Sequence, residues 1–281
     1  MTRARHEESH GLEGGIDLAP EVRRRADELA ERLERLRASY YAGRPEVSDA
    51  AYDALEDELR ALDPTNPVLA RVGSAELVAE WPKARHEIPM GSLNKAVDEA
   101  ELRAWLTRCE ELLQKDGLGP ISSELFVAEK LDGISIEVIY RDGELAEAIT
   151  RGDGDWGERI TENVARMKGV PARVRDKRSL SFRGEIILRL SDMKRPFFGG
   201  VTSPRNAAAG TSKRLDGTGS EYLTVLFYDV ADHLEFATER DKFAWLRAQG
   251  LATPRTAFGS VDEVLEIYKQ YSGEIRASLD Y

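Results

Sequence analysis

Glu129-Lys130-Leu131-Asp132-Gly133 lies between two runs that read as β-strands, Leu125 to Glu129 and Ile134 to Tyr140. A lysine placed where a strand runs into an Asp-Gly turn is held by backbone on both sides, so its amine can be aimed at a substrate. At a reference pKa of roughly 10.4 that amine is protonated at neutral pH and attacks nothing. Neighbouring cations or a metal ion must lower its pKa before it serves as a nucleophile. Taken alone, Lys-X-Asp-Gly more often marks a hairpin turn with a solvated lysine, so the rest of the chain must supply the partners of a reactive one.

Downstream, Arg141-Asp142-Gly143 predicts a hairpin joining Ile134–Tyr140 to Leu145–Thr150. Arg151-Gly152-Asp153-Gly154 follows, then a short helix expected over Ile160 to Met167 and a strand from Leu180 to Leu188 that holds Arg183-Gly184-Glu185. A short helix opens at Pro204-Arg205-Asn206-Ala207-Ala208-Ala209-Gly210, and a strand from Leu223 to Val230 carries Phe227 and Tyr228. Helices near Glu239 to Gln249 and Val261 to Tyr271 complete the pattern.

Upstream, residues 1–18 lack periodicity and read as a disordered tail. From Pro20 the apolar positions Val22, Ala26, Leu29, Leu33, Leu36 and Tyr40 step by three or four, with Gly43 placed to end the helix. A second helix from near Ser48 turns Tyr52, Leu55, Leu59 and Leu62 inward and stops before Asp63-Pro64, which predicts a helical hairpin. Asp49, Tyr52 and Asp53 share one side of it, with Tyr40 and Tyr41 at the end of the first helix. From the residues alone these are half-buried tyrosines and carboxylates favoured by a helix N-terminus. Residues 64–91 read as a linker, in which His86 is a surface or packing residue because no second His or Cys stands at metal-binding spacing. Asp98 with Glu101 predicts a capping box, followed by a helix that buries Leu102, Trp105, Leu106, Cys109, Leu112 and Leu113.

The composition, 32% charged and 41% hydrophobic over 281 residues, suits a soluble globular chain of two domains. A net charge of -11 argues against bulk electrostatic capture of nucleic acid. The single cysteine, Cys109, excludes an intrachain disulfide and a Cys-rich zinc site. No run approaches the roughly 20 apolar residues of a membrane span, and the polar start is not signal-like, so the expected compartment is the cytoplasm.

Lys130, Arg151, Glu185, Arg205, Lys213 and Tyr228 together suit nucleotidyl transfer: a nucleophilic amine, cations for phosphate oxygens, a carboxylate for a ribose hydroxyl and a ring for a base. Each has a plainer reading, since Arg151 could pair with Asp153, Glu185 could be a surface carboxylate and Tyr228 could be core. Their joint order resembles the bacterial NAD-dependent DNA ligases from about Leu36 to the last residue. The resemblance rests on Tyr40-Tyr41, Pro45 to Asp53, His86-Glu87-Ile88-Pro89-Met90 with Ser92-Leu93, Lys130-Leu131-Asp132-Gly133, Thr150 to Gly154, Arg183-Gly184-Glu185 and Pro204 to Gly210.

The resemblance implies an α+β fold: a helical NAD-capturing domain over 19–75, then an ATP-grasp-like nucleotidyltransferase domain of antiparallel sheets with flanking helices over 76–281. It implies that Lys130, with Asp132 in the catalytic motif, takes AMP from NAD with the help of Mg²⁺ and expels nicotinamide mononucleotide. Nicked double-stranded DNA is the implied partner of the complete enzyme, acting as a monomer. Glu185 would hold the ribose, Tyr228 would stack on adenine, Arg151 and Arg205 would meet the phosphate or ribose region, and Ser92 and Leu93 would line the adenosine pocket. Tyr40, Tyr41, Asp49, Tyr52 and Asp53 would bind the nicotinamide mononucleotide half, a cation between rings and carboxylates. No residue is assigned as a metal ligand.

Several positions depart from the family pattern, among them Tyr41, where histidine is often found, and Ser-Leu-Asn-Lys at 92–95 in place of the commoner Ser-Leu-Asp-Asn. The family's glutamate stands two residues before the lysine, where this chain has Ala128; the shifted Glu129 would face the other way on a strand, although it remains a candidate nucleotide contact. Lys213 replaces an arginine and cannot copy its bidentate contact. Family members continue past Tyr281 into a Glu-Ile-Asp-Gly strand, so a truncated domain is expected, one that binds the nicotinamide half of NAD through residues 40–53, is slow or inactive in adenylation and does not seal nicks. The alternatives are a non-catalytic nucleotide-binding remnant and an ATP-using nucleotidyltransferase, towards which the Glu129-Lys130 order leans.

Overall fold

The computed structural model describes residues 19–41, 46–70, 81–87, 89–91, 93–122, 124–231 and 234–281, with backbone only for Tyr40, Tyr41, Asp49, Ala50, Ala70 and Glu274. The expected tail over 1–18, Gly43 and Ser92 lie outside the described residues. Contacts divide the chain into two compact units, Met1–Ser74 and Ala75–Tyr281.

The first unit contains helices α1 (Pro20–Tyr41) and α2 (Asp49–Leu62) and a single turn, α3 (Pro67–Ala70). The three- and four-residue spacing of the apolar positions puts Ala26, Leu29 and Leu33 on one stripe of α1, where they share a core with Leu59 and Val68. Ser48 starts α2 by accepting the Ala51 N–H at 3.3 Å. Arg25 pairs with Glu58 at 2.7 Å, and the Arg37 Nε donates to the Tyr52 hydroxyl at 3.0 Å, fixing the two helices side by side.

The second unit mixes helix and antiparallel sheet. Its elements are β1 (Lys83–Arg85), α4 (Glu99–Lys115), β2 (Leu125–Ala128), β3 (Ile134–Arg141), β4 (Glu144–Thr150), β5 (Trp156–Glu158), α5 (Thr161–Val164), β6 (Leu180–Leu188), α6 (Leu190–Met193), α7 (Pro204–Ser212), β7 (Leu223–Val230), α8 (Glu239–Ala248), β8 (Thr256–Gly259) and α9 (Val261–Gln270). Four strands make a central antiparallel sheet in the order β4-β3-β6-β7, while β1 pairs with β5 and β2 with β8. The hairpin β3–β4 turns at Asp142-Gly143, both with positive φ, as an Asp-Gly turn requires.

Strand alternation gives the sheet two unlike faces. Ile136, Val138 and Tyr140 of β3, Leu180, Phe182, Ile186 and Leu188 of β6, and Leu223, Val225 and Phe227 of β7 line one face and form the main core. Ser135 and Glu137, Ser181, Arg183 and Glu185, and Tyr228 alternate with them and line the other. Buried polar groups on a sheet face need partners, and that face carries the candidate site.

Several expectations need correction. The helix expected over Ile160 to Met167 is one turn, because Asn163, Arg166 and Met167 donate to the carbonyls three residues earlier and no side chain caps its start. At α4, Asp98 accepts the Glu101 N–H at 2.8 Å, but the Glu101 carboxylate takes the Val97 N–H, not that of Asp98. The helix buries none of its residues: Leu112 is 61% exposed, Trp105 37%, and Leu102, Leu106, Cys109 and Leu113 are only half-buried. Periodicity located its apolar stripe without showing what covers it. The first predicted strand ends at Ala128, not Glu129. β1, β5 and β8 were not foreseen, being too short for alternation to register.

Candidate nucleotide-transfer site

Residues 129–133 leave β2 and enter β3, which belong to different sheets, so the loop bridges two layers. Gly133 allows this. A Cβ there would sit 2.1 Å from the Ile186 carbonyl oxygen and 3.0 Å from the Glu185 Cγ, so only glycine lets the loop lie against β6. That contact delivers the Gly133 N–H to the Glu185 carboxylate and brings the Lys130 and Arg205 charges near it. The Ser135 hydroxyl donates to Glu185 at 2.9 Å, and Arg205, from the first turn of α7, donates to Asp132 at 2.9 Å. Ser203 caps α7 by accepting the Asn206 N–H, which fixes the turn that carries Arg205.

Lys130, Asp132, Glu185, Arg205 and Tyr228 therefore gather around one end of the polar face. Burial raises Glu185 above the ordinary carboxylate range, opposed by the Ser135 hydrogen bond and the Arg205 and Lys130 charges. Burial, then the Glu185 charge, pushes Tyr228 up to about 12, so its phenol stays neutral at physiological pH.

The other candidates are placed as follows. Arg151 directly follows β4 beside this group: its N–H donates to the Ser135 carbonyl at 3.1 Å, and its buried Nε has no hydrogen-bond partner among the described residues. Ala128 and Lys130 are exposed while Glu129 turns inward, where its carboxylate accepts the Arg255 N–H at 3.1 Å and the Tyr281 hydroxyl. Lys213 pairs with the buried Glu158, a close charge contact without hydrogen-bond alignment at that oxygen. Leu93 is 84% exposed. Tyr52 and Asp53 are half-buried on α2; the side chains of Tyr40, Tyr41 and Asp49, and all of Ser92, lie outside the described residues.

Sequence reasoning missed a buried polar group, His86–Glu137–Ser181, and the carboxylate Glu158. The available signal was Glu137, a charged residue inside an otherwise apolar strand. Among the described residues no three His, Cys, Asp or Glu side chains stand together as a metal site, so these donors do not make a cage for Mg²⁺. Nor is any described helix long and apolar enough to cross a membrane.

Comparison with known proteins shows the family. Residues 78–281 match the family described as NAD-dependent DNA ligase adenylation domain, and residues 19–75 match DNA ligase-like, N-terminal NAD+-binding domain. The chain is 64% identical to a DNA ligase of Sorangium cellulosum, over all of this chain and 44% of that protein. It is 36% identical to a DNA ligase of Treponema denticola, over 86% of this chain and 38% of the relative. With a DNA ligase of Rubrobacter xylanophilus it shares 34% identity over 93% of this chain and 41% of the relative. The chain thus spans under half the length of these relatives, and it belongs to the NAD-dependent DNA ligase family.

Proposed function

We propose that this chain performs the first step of DNA ligation, self-adenylation from NAD. The observation that carries the reading is the gathering of Lys130, Glu185, Arg205 and Tyr228 by the Gly133 contact. The Lys130 amine, in its neutral form, attacks the adenylyl phosphorus. A P–N bond forms, the bond to the bridging oxygen breaks, nicotinamide mononucleotide leaves with the electron pair, and the proton lost by the amine goes to solvent. Arg205 and Arg151 balance charge on the phosphate oxygens, and Asp132 holds Arg205 in place. Glu185 accepts from a ribose hydroxyl, Tyr228 stacks on adenine, and Ser92 and Leu93 line the adenosine pocket. Glu129 supports the loop from behind, and Lys213 holds Glu158.

In this reading residues 19–75 form a helical-hairpin domain whose Tyr40, Tyr41, Asp49, Tyr52 and Asp53 hold the nicotinamide mononucleotide half. Residues 76–281 belong to an ATP-grasp-like nucleotidyltransferase domain. Mg²⁺ keeps several waters and binds chiefly through substrate phosphates in such sites, so it would enter with the nucleotide, and the roles above are those of the chain's own side chains. The whole protein, a cytoplasmic monomer, would pass the AMP to the 5′-phosphate of nicked double-stranded DNA and seal the nick.

The inward turn of Glu129 removes geometric support for an ATP-using enzyme. Incubation with adenine-labelled NAD or ATP decides between them. Label on the chain from NAD alone is the expected result, and label from ATP alone would overturn it.

A further inference from the structure

We propose that His86 is a positioning residue for Arg151, a clamp that fixes the main chain from which this guanidinium reaches the nucleotide. The proposal rests on the adenylation reading above.

The His86 side chain is 0% exposed and that of Glu137 1%. One ring nitrogen, Nδ1, meets the Glu137 carboxylate, whose other oxygen accepts the Ser181 hydroxyl. The other, Nε2, stands 3.1 Å from the Thr150 carbonyl oxygen and 3.2 Å from that of Arg151. Carbonyls only accept, so Nε2 carries the hydrogen. The segment bearing His86 is stitched to the loop after Arg151 at several points. The His86 N–H donates to the Asp155 carbonyl and the Met90 N–H to that of Gly154, both at 2.9 Å, and β1 pairs with β5. His86 drives this seam inward onto the polar face.

Both main-chain polar atoms of Arg151 are committed, its N–H to Ser135 and its carbonyl to the Gly154 N–H at 3.0 Å and to His86. Ser135 in turn donates to Glu185. Arg151, just past β4, Ser135 of β3 and Glu185 of β6 thus form one row, and His86 meets the end of the row. The Arg151 Nε is buried and has no hydrogen-bond partner among the described residues. A guanidinium held at its backbone and lacking an acceptor suits a phosphate oxygen.

The test separates the two ring nitrogens. Glutamine places its amide nitrogen near the position of Nε2, and asparagine places its own near that of Nδ1. His86→Gln should keep Lys130 adenylation within a few-fold of wild type. His86→Asn should lower its rate at saturating NAD by about 10- to 100-fold, the scale of a misplaced catalytic group. Combined with Arg151→Ala, His86→Asn should add no further loss, because both act through one group. The same cycle is read on AMP affinity by calorimetry, with each variant shown to be folded at the assay temperature. If His86→Asn does not fold, Glu137→Gln, which removes the ring's other support, takes its place in the cycle. Losses that multiply, or equal losses in the glutamine and asparagine variants, would overturn the role of His86 alone. A wild-type chain that neither binds AMP nor forms an adduct would overturn the adenylation reading and this proposal with it.

Discussion

Glu185 carries a pH-dependent cost in stability. A carboxylate buried on a sheet face is held above its ordinary range chiefly by desolvation, so the native chain binds its proton more tightly than the unfolded chain. Stability from this group is therefore full below the ordinary carboxylate value and is lost as pH rises through the raised one. Glu185→Gln should remove that loss. Its melting temperature should exceed that of wild type at pH 7 and approach it near pH 4, while adenylation falls. Thermal scans at the two pH values check this, and a variant destabilised more at pH 7 than at pH 4 would contradict it. The residue was legible in Arg183-Gly184-Glu185, but its burial was not, because the groups that cover it come from the 129–133 loop and β3.

The elements show where patterning is informative and where it stops. β6 and β7 are legible with their observed bounds, Leu180–Leu188 and Leu223–Val230, because each is long and most of its residues are buried. In α4 the same reasoning found the apolar stripe and wrongly buried it, since a stripe says nothing about the layer above it. The polar face of the sheet was foreseen only in part: Glu185, Arg151 and Tyr228 were singled out, whereas His86 and Glu137 meet across 51 residues of sequence and no local signal joins them. Phe182, fully buried and ringed edge-on by Tyr140 and Phe227, should cost about 3–5 kcal/mol when cut to alanine. Leu112→Ala in α4 should cost no more than about 0.5 kcal/mol. Denaturant titrations of the two variants compare a core site with an uncovered stripe, and equal costs would contradict the assignment.

At the scale of the molecule, the two compact units coincide with the two matched domains to within a few residues, 19–75 and 78–281 against a division at Ser74. A net charge of -11 leaves this chain poorly suited to hold DNA by counterion release. Fluorescence anisotropy should show only weak binding of duplex DNA by this chain, with a shallow dependence on salt; tight, steeply salt-dependent binding would contradict that account. Its chemistry is predicted to lie instead in the capture of AMP by Lys130. Intact mass after incubation with NAD and Mg²⁺ tests this most directly, with Lys130→Ala as control. A gain of one AMP, about 329 Da, in the wild-type chain and not in the control is the predicted result. The same gain in both, or a gain that maps to another residue, would contradict it.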